Sequence, residues 1–113
     1  MQGNNLEGAR FYQGVFLEEL KSIKKSYIVS IEGVDITVYP GVFPPVVDTE
    51  LLTKHVYPPK GGNILDIGTG SGVTAAIAGL RGARGTAVDI NPLAIINASE
   101  NFNRLGVNMH AVQ

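Results

Sequence analysis

Two aspartates and three glycines, spread over residues 66–89, carry most of the chemistry in this 113-residue sequence. The run Gly68-Thr69-Gly70-Ser71-Gly72 places a glycine at every second position. Glycine at such density marks tight bends, or places where a ligand must approach the main chain closely. Asp66 stands two residues before the run, and Asp89 lies 21 residues after Gly68. A run of this kind between a strand and a helix sits where open α/β sheets bind ligands, with helix-end N–H groups turned toward them. An acid that ends the following strand can accept both hydroxyls of a ribose. A carboxylate at position 66 would repel a pyrophosphate and attract an ammonium or sulfonium. Together these residues point to a cationic adenosine ligand.

Other ligands fit less well. A dinucleotide fingerprint counted from Gly68 needs glycine at position 73, where the chain has Val73, and the third glycine arrives one place early at Gly72. No Gly-Lys-Ser/Thr is present, which excludes a P-loop. The sequence has no cysteine, so disulfides, thiolate metal sites and cysteine nucleophiles are all excluded. His55 and His110 stand apart from other ligand types at metal spacing, so no metal site is assigned. A net charge of −1 supplies no basic field for nucleic acid. No apolar run is long enough to cross a membrane. The composition, 44% hydrophobic and 17% charged, reads as that of a folded cytoplasmic chain. Eight of the 14 glycines fall between Gly61 and Gly85, so the excess is localised around the candidate site.

The elements that must position these residues follow from periodicity. Tyr12, Phe16, Leu20 and Ile23 recur at helical spacing over residues 9–25. Two β-branched runs, 28–31 and 34–39, are split by Glu32-Gly33 and predict a hairpin. Pro40, Pro44 and Pro45 force an extended stretch carrying Val42 and Phe43. Asp48 is a candidate N-cap for a helix from Thr49 to about Val56. Asn63–Ile67 reads as a buried parallel strand, followed by the glycine turn and a small-residue helix closed near Gly82. Thr86–Val88 reads as the next strand, ending at Asp89. Asn91-Pro92 opens a helix whose inner stripe is Ile95, Ala98, Phe102 and Leu105. Asn97, Asn101 and Asn103 read as its solvated side. Gly106 ends that helix, and residues 108–113 begin a third strand. Alternating strands and helices of this kind predict a parallel sheet with right-handed crossovers.

Residues Ile64 to Gly72, "ILDIGTGSG", resemble motif I of class I S-adenosylmethionine-dependent methyltransferases. "AVDINPLAIINASENFNRLG", Ala87 to Gly106, is similar to their second strand and following helix. Upstream, "GVFPPVVDTELL", Gly41 to Leu52, resembles the corresponding segment of the HemK-like, N5-glutamine methyltransferase and methyltransferase-small-domain group. The resemblance implies an α/β, Rossmann-like parallel sheet with S-adenosyl-L-methionine as cofactor. By position, Gly68, Thr69, Gly70, Ser71 and Gly72 would wrap the methionine and ribose moieties. Asp66 would lie near the methionine end, Asp89 would bind the ribose hydroxyls, and Ile90 and Asn91 would edge the adenine pocket. Thr49 and Phe43 would cover the site.

The same resemblance predicts two parts, residues 1–60 with an N-terminal helix, hairpin and leading segment, and residues 61–113 with the front of the cofactor domain. In the HemK-like and adenine-N6 groups an Asn-Pro-Pro-Tyr/Phe motif after the fourth strand holds the accepting planar nitrogen. The only Asn-Pro here is Asn91-Pro92, followed by Leu93, so no catalytic residue is assigned. A six- or seven-stranded sheet needs roughly 150 residues after Ile64, given βαβ units of about 30 residues. The 50 available predict about three parallel strands, an incomplete sheet with an apolar edge open to self-association. The expected enzyme is a methyltransferase acting on a planar nitrogen of a protein glutamine or a nucleic-acid base, with the acceptor half absent. A Rossmann-type oxidoreductase domain and a non-catalytic cofactor-binding or interaction module are the alternatives.

Overall fold

The computed structural model describes residues 24–45 and 47–113. The helix expected over 9–25 falls outside these residues except for Lys24 and Lys25, which are not helical.

Strands β1 (Tyr27–Ile31) and β2 (Val34–Val38) form an antiparallel hairpin with Tyr27 opposite Val38 and Ile31 opposite Val34. Glu32 and Gly33 both adopt left-handed backbone, with φ of 51° and 75°. That geometry matches the right-handed twist of the flanking strands and makes a tight two-residue turn possible. After Val42, which is buried, the chain reaches helix α1 (Val47–His55). Asp48 is therefore a first-turn residue and not the N-cap that the sequence suggested. The far end of α1 is held by Arg81, whose guanidinium donates to the carbonyls of Thr53 and Val56 and stacks 4.1 Å from the centre of the Tyr57 ring.

The rest is a βαβαβ unit: β3 (Asn63–Ile67), α2 (Val73–Leu80), β4 (Arg84–Val88), α3 (Pro92–Leu105) and β5 (Met109–Val112). The three strands are parallel in the order β3-β4-β5. Both crossovers step the same way, so right-handed connections put α2 and α3 on one face. Ile64, Ala87, Met109 and Ala111 pack there, and Gly85 aligns with Ile64 and Met109. Ala75, Ala76 and Ala78 of α2 are fully buried, and their small side chains let the helix lie close to its neighbours. Ile31, Ile36 and Val38 of the hairpin join the same core, together with Phe102. On the opposite face Leu65 and Ile67 are exposed, at 62% and 77%, and Val112 at 49%. The buried-strand reading of Asn63–Ile67 thus holds on one face only. Among the described residues the outer edge of β3 has no strand beside it.

Helix α3 differs from expectation along one stripe. Asn103 is exposed, but Asn97 and Asn101 have no solvent exposure. Their amides bond the main chain of Thr37 in β2 and Tyr39 just past it, so this stripe faces the hairpin and not solvent. The predicted caps at the two ends are observed. Asn91 accepts from the Leu93 N–H at 3.0 Å with Pro92 at the first helical position, and Gly106 terminates the helix with φ of 68°.

The β3–β4 pairing depends on Gly85. A Cβ at this residue would lie 2.0 Å from the Ile64 carbonyl oxygen, a main-chain atom that cannot yield without opening the ladder. Gly85→Ala is expected to destabilise the fold by about 3 kcal/mol or more, at the upper end of overpacking costs. Urea unfolding checks this, and a variant as stable as the parent would contradict the close approach.

Candidate functional site

The turn leaving β3 uses its glycines in different ways. Gly68, Gly70 and Gly72 all have left-handed backbone, with φ of 73°, 56° and 86°. A Cβ at Gly68 would meet no atom within 4 Å, so the missing side chain leaves open space in front of the main chain. A Cβ at Gly70 would lie 3.5 Å from the Phe43 carbonyl oxygen. One at Gly72 would come within 2.9 Å of the side chains of Ala98 and Phe102, so Gly72 seats α2 against α3. The turn is fixed to the sheet where Gly68 and Thr69 N–H donate to the Val88 carbonyl at 2.8 and 3.0 Å. Gly72 supplies no side-chain cap for α2, and the Ala75 main-chain N–H in the first turn is taken instead by the Asp66 carboxylate.

A cavity of about 190 Å³ opens over this turn. Asp66, Gly68, Thr69, Gly70 and Ser71 line it on one side and Phe43, Pro44, Pro45 and Thr49 on the other, with Val73 and Thr74 completing the wall. The two residues expected to cover the site, Phe43 and Thr49, are thus in its lining. Asp66 accepts a hydrogen bond from the Thr69 hydroxyl at 2.8 Å. Burial pushes its carboxyl above the ordinary range. The Thr69 hydroxyl and the Ala75 main chain pull it back in part, and the Asp89 carboxylate adds a smaller upward push.

Asp89 is not in the cavity wall but controls it through Gly70. One carboxylate oxygen accepts from the Gly70 N–H and the other from the Asn91 N–H, each at 2.9 Å. A carboxylate offers about four lone-pair sites, so each oxygen retains capacity for a further donor. Ile90 projects into solvent, 94% exposed. Asn91 caps α3 with its side-chain oxygen and donates its amide N–H to the Gly41 carbonyl at 3.2 Å, tying the leading segment to the site.

Asn101 was missed as part of this surrounding. Its amide donates to the Ser71 carbonyl at 2.8 Å. A signal existed: Ala94, Asn97, Ala98, Asn101 and Phe102 follow the spacing of one helix face, and all five are buried.

A cationic adenosyl ligand fits these residues. The cavity is smaller than the roughly 300 Å³ lower bound of typical small-molecule pockets. It suits one end of such a ligand, and its half-buried carboxylate suits a cationic end. Beside it lie the open space at Gly68 and the Asp89 carboxylate with its spare lone pairs.

A parallel sheet, a glycine turn and an acid bonded into that turn define the Rossmann-like methyltransferase class of domains. The chain belongs to the PrmA, ribosomal protein L11 methyltransferase, family, whose profile matches residues 49–113. It is 36% identical over 83 residues to a Methanocaldococcus jannaschii protein assigned as a protein N5-glutamine methyltransferase, covering 73% of this chain and 42% of that one. It is 53% identical over 58 residues to the ribosomal protein L11 methyltransferase of Pelotomaculum thermopropionicum, covering 50% of this chain and 18% of the relative. The chain therefore spans less than half the length of either relative. Among solved structures, an S-adenosylmethionine-dependent methyltransferase from Agrobacterium tumefaciens superposes with a TM-score of 0.60 at 25% identity, over 80% of this chain and 33% of that one.

Removing the Asp89 carboxylate leaves two main-chain N–H groups without their acceptor. Asp89→Ala is expected to lower stability by about 1.5–3 kcal/mol, the scale of hydrogen bonds to a charged group. The urea midpoint should fall with an unchanged slope. An unchanged midpoint would show that the carboxylate does not hold the turn.

Proposed function

We propose that this chain forms the S-adenosyl-L-methionine-binding part of a methyltransferase acting on a planar nitrogen, with a protein glutamine ahead of a nucleic-acid base. The observation that carries the reading is the pair of acids around one glycine turn: Asp66 in the cavity lining, and Asp89 bonded to the Gly70 N–H. The cofactor supplies an electrophilic methyl group on a cationic sulfur. Asp66 provides negative charge for the cationic amino-acid end, and Asp89 accepts from the ribose hydroxyls with its remaining lone pairs. Gly68 lets the main chain lie against the ligand, and Ile90 and Asn91 edge the adenine. Phe43, Pro44 and Pro45 exclude water from the opposite side. Transfer then requires the donor methyl and the acceptor nitrogen to be held in line, a positioning task more than an acid–base one.

A protein acceptor is favoured by the relatives, one assigned to protein glutamine and the other to ribosomal protein L11. The net charge of −1 agrees, since a polyanionic acceptor is ordinarily held by clustered Lys and Arg. Calorimetric titration of the intact protein tests the cofactor. S-adenosylhomocysteine is expected to bind and NAD not to bind; NAD binding without S-adenosylhomocysteine binding overturns the assignment.

The acidity of Asp66 gives a second test. Its carboxyl is raised by burial above the unfolded value. Its contribution to stability is therefore full below the ordinary carboxylate range and is lost as pH rises through the raised value. A cationic ligand needs the ionised form, so affinity runs the other way, weakening as pH falls through that window. Asp66→Asn should weaken S-adenosylmethionine binding at neutral pH and flatten its acid limb. An unchanged pH profile in that variant would sink the electrostatic role.

A further inference from the structure

The outer edge of β2 is paired, but by side chains. Its neighbour on that side is helix α3, which presents Asn97, Asn101 and Arg104 at helical spacing. Asn97 accepts from the Tyr39 N–H at 2.9 Å and donates to the Thr37 carbonyl at 2.7 Å. Asn101 accepts from the Thr37 N–H at 3.0 Å and donates to the same carbonyl at 2.9 Å. Arg104 donates to the Asp35 carbonyl and to the Asn101 side-chain oxygen. Residues 35, 37 and 39 turn the same edge toward the helix, because alternate strand residues share a side. The two buried amides thus take the place of an adjoining strand.

One of them does more. The Asn101 amide N–H group also reaches the Ser71 carbonyl, inside the glycine turn. No other described side chain donates to a carbonyl of residues 68–72. We propose that Asn101 is a positioning residue for the glycine turn, holding the Ser71 carbonyl so that the hairpin edge and the cofactor cavity share one anchor. The inference rests on the reading that this turn holds the adenosyl ligand. It extends that reading to a residue that touches neither the cavity nor its contents.

A matched pair of substitutions separates positioning from simple support. Asn97→Asp and Asn101→Asp each keep the acceptor for β2 and each lose the donor to the Thr37 carbonyl. Only Asn101→Asp also loses the donor to Ser71. Where a buried carboxylate prevents folding, Asn97→Ala and Asn101→Ala repeat the comparison. On the intact protein, S-adenosylhomocysteine affinity is expected to fall about tenfold or more in Asn101→Asp, equivalent to about 1.4 kcal/mol, and to stay within about twofold in Asn97→Asp. Amide hydrogen exchange at Gly70, Ser71 and Gly72 is expected to accelerate in Asn101→Asp alone. Equal affinity losses in the two variants, full affinity in Asn101→Asp, or unchanged exchange in the turn each overturns the proposal. If the parent itself binds no S-adenosylhomocysteine, the cofactor assignment fails, and the exchange comparison still decides the role of Asn101.

Discussion

The site is organised by a single carboxylate that accepts main-chain donors from two loops. Asp89 holds the Gly70 N–H with one oxygen and the Asn91 N–H with the other. The first bond fixes the bend after β3, and the second fixes the start of α3. Strand pairing alone sets the spacing of β3 and β4, but it does not determine how the chain leaves them. The charge-assisted bonds do, because each is about twice as strong as a neutral one and has a preferred direction. Asp66 is then free to face the cavity with only the Thr69 hydroxyl as a side-chain donor. Two acids of similar intrinsic strength thereby take different places, one bracing two loops and one lining the cavity.

The hairpin illustrates how a strand edge can be closed without a strand. Buried main-chain polar groups must be paired somewhere, and amide side chains can offer both a donor and an acceptor in the required plane. Asn97 and Asn101 meet this need while remaining on a helix that also contributes Ala98 and Phe102 to the core. Among the described residues no buried side-chain nitrogen or oxygen lacks a partner. The polar stripe is thus fully satisfied, the condition under which buried amides specify a packing arrangement and do not weaken it.

Much of this was readable from local chemistry. β3 was bounded correctly because an apolar run met glycine on both sides, and α3 because Asn-Pro and Gly are strong punctuation at helix ends. The glycine turn and both acids were evident from spacing alone. What escaped depends on contacts distant in sequence. Asn97 and Asn101 were assigned to solvent because a periodicity argument places polar residues outward, and only the presence of β2 opposite them reverses that. Strand β4 begins at Arg84 and not at Thr86, since pairing with β3 recruits residues whose own strand preference is weak. Asp48 suited a cap and a first helical turn about equally, acids being favourable in both.

The two-residue turn at Glu32-Gly33 and the α3 bonds to β2 differ greatly in loop length. The hairpin closes over two residues, whereas the Asn97 and Asn101 bonds to the main chain of Thr37 and Tyr39 span 58 to 64 positions. Chain-closure entropy grows with the logarithm of loop length, which makes the longer closure costlier by about 3 kcal/mol. The hairpin can therefore form early as a local unit, while its docking must wait until α3 exists. The Asn101 bond to the Ser71 carbonyl spans only 30 positions and joins the turn to α3 directly, so that anchor does not depend on the docking. The crevice draws its lining from both units, Phe43, Pro44 and Pro45 after the hairpin and Asp66 to Thr74 in the βαβ unit, so it is complete only once the two have met.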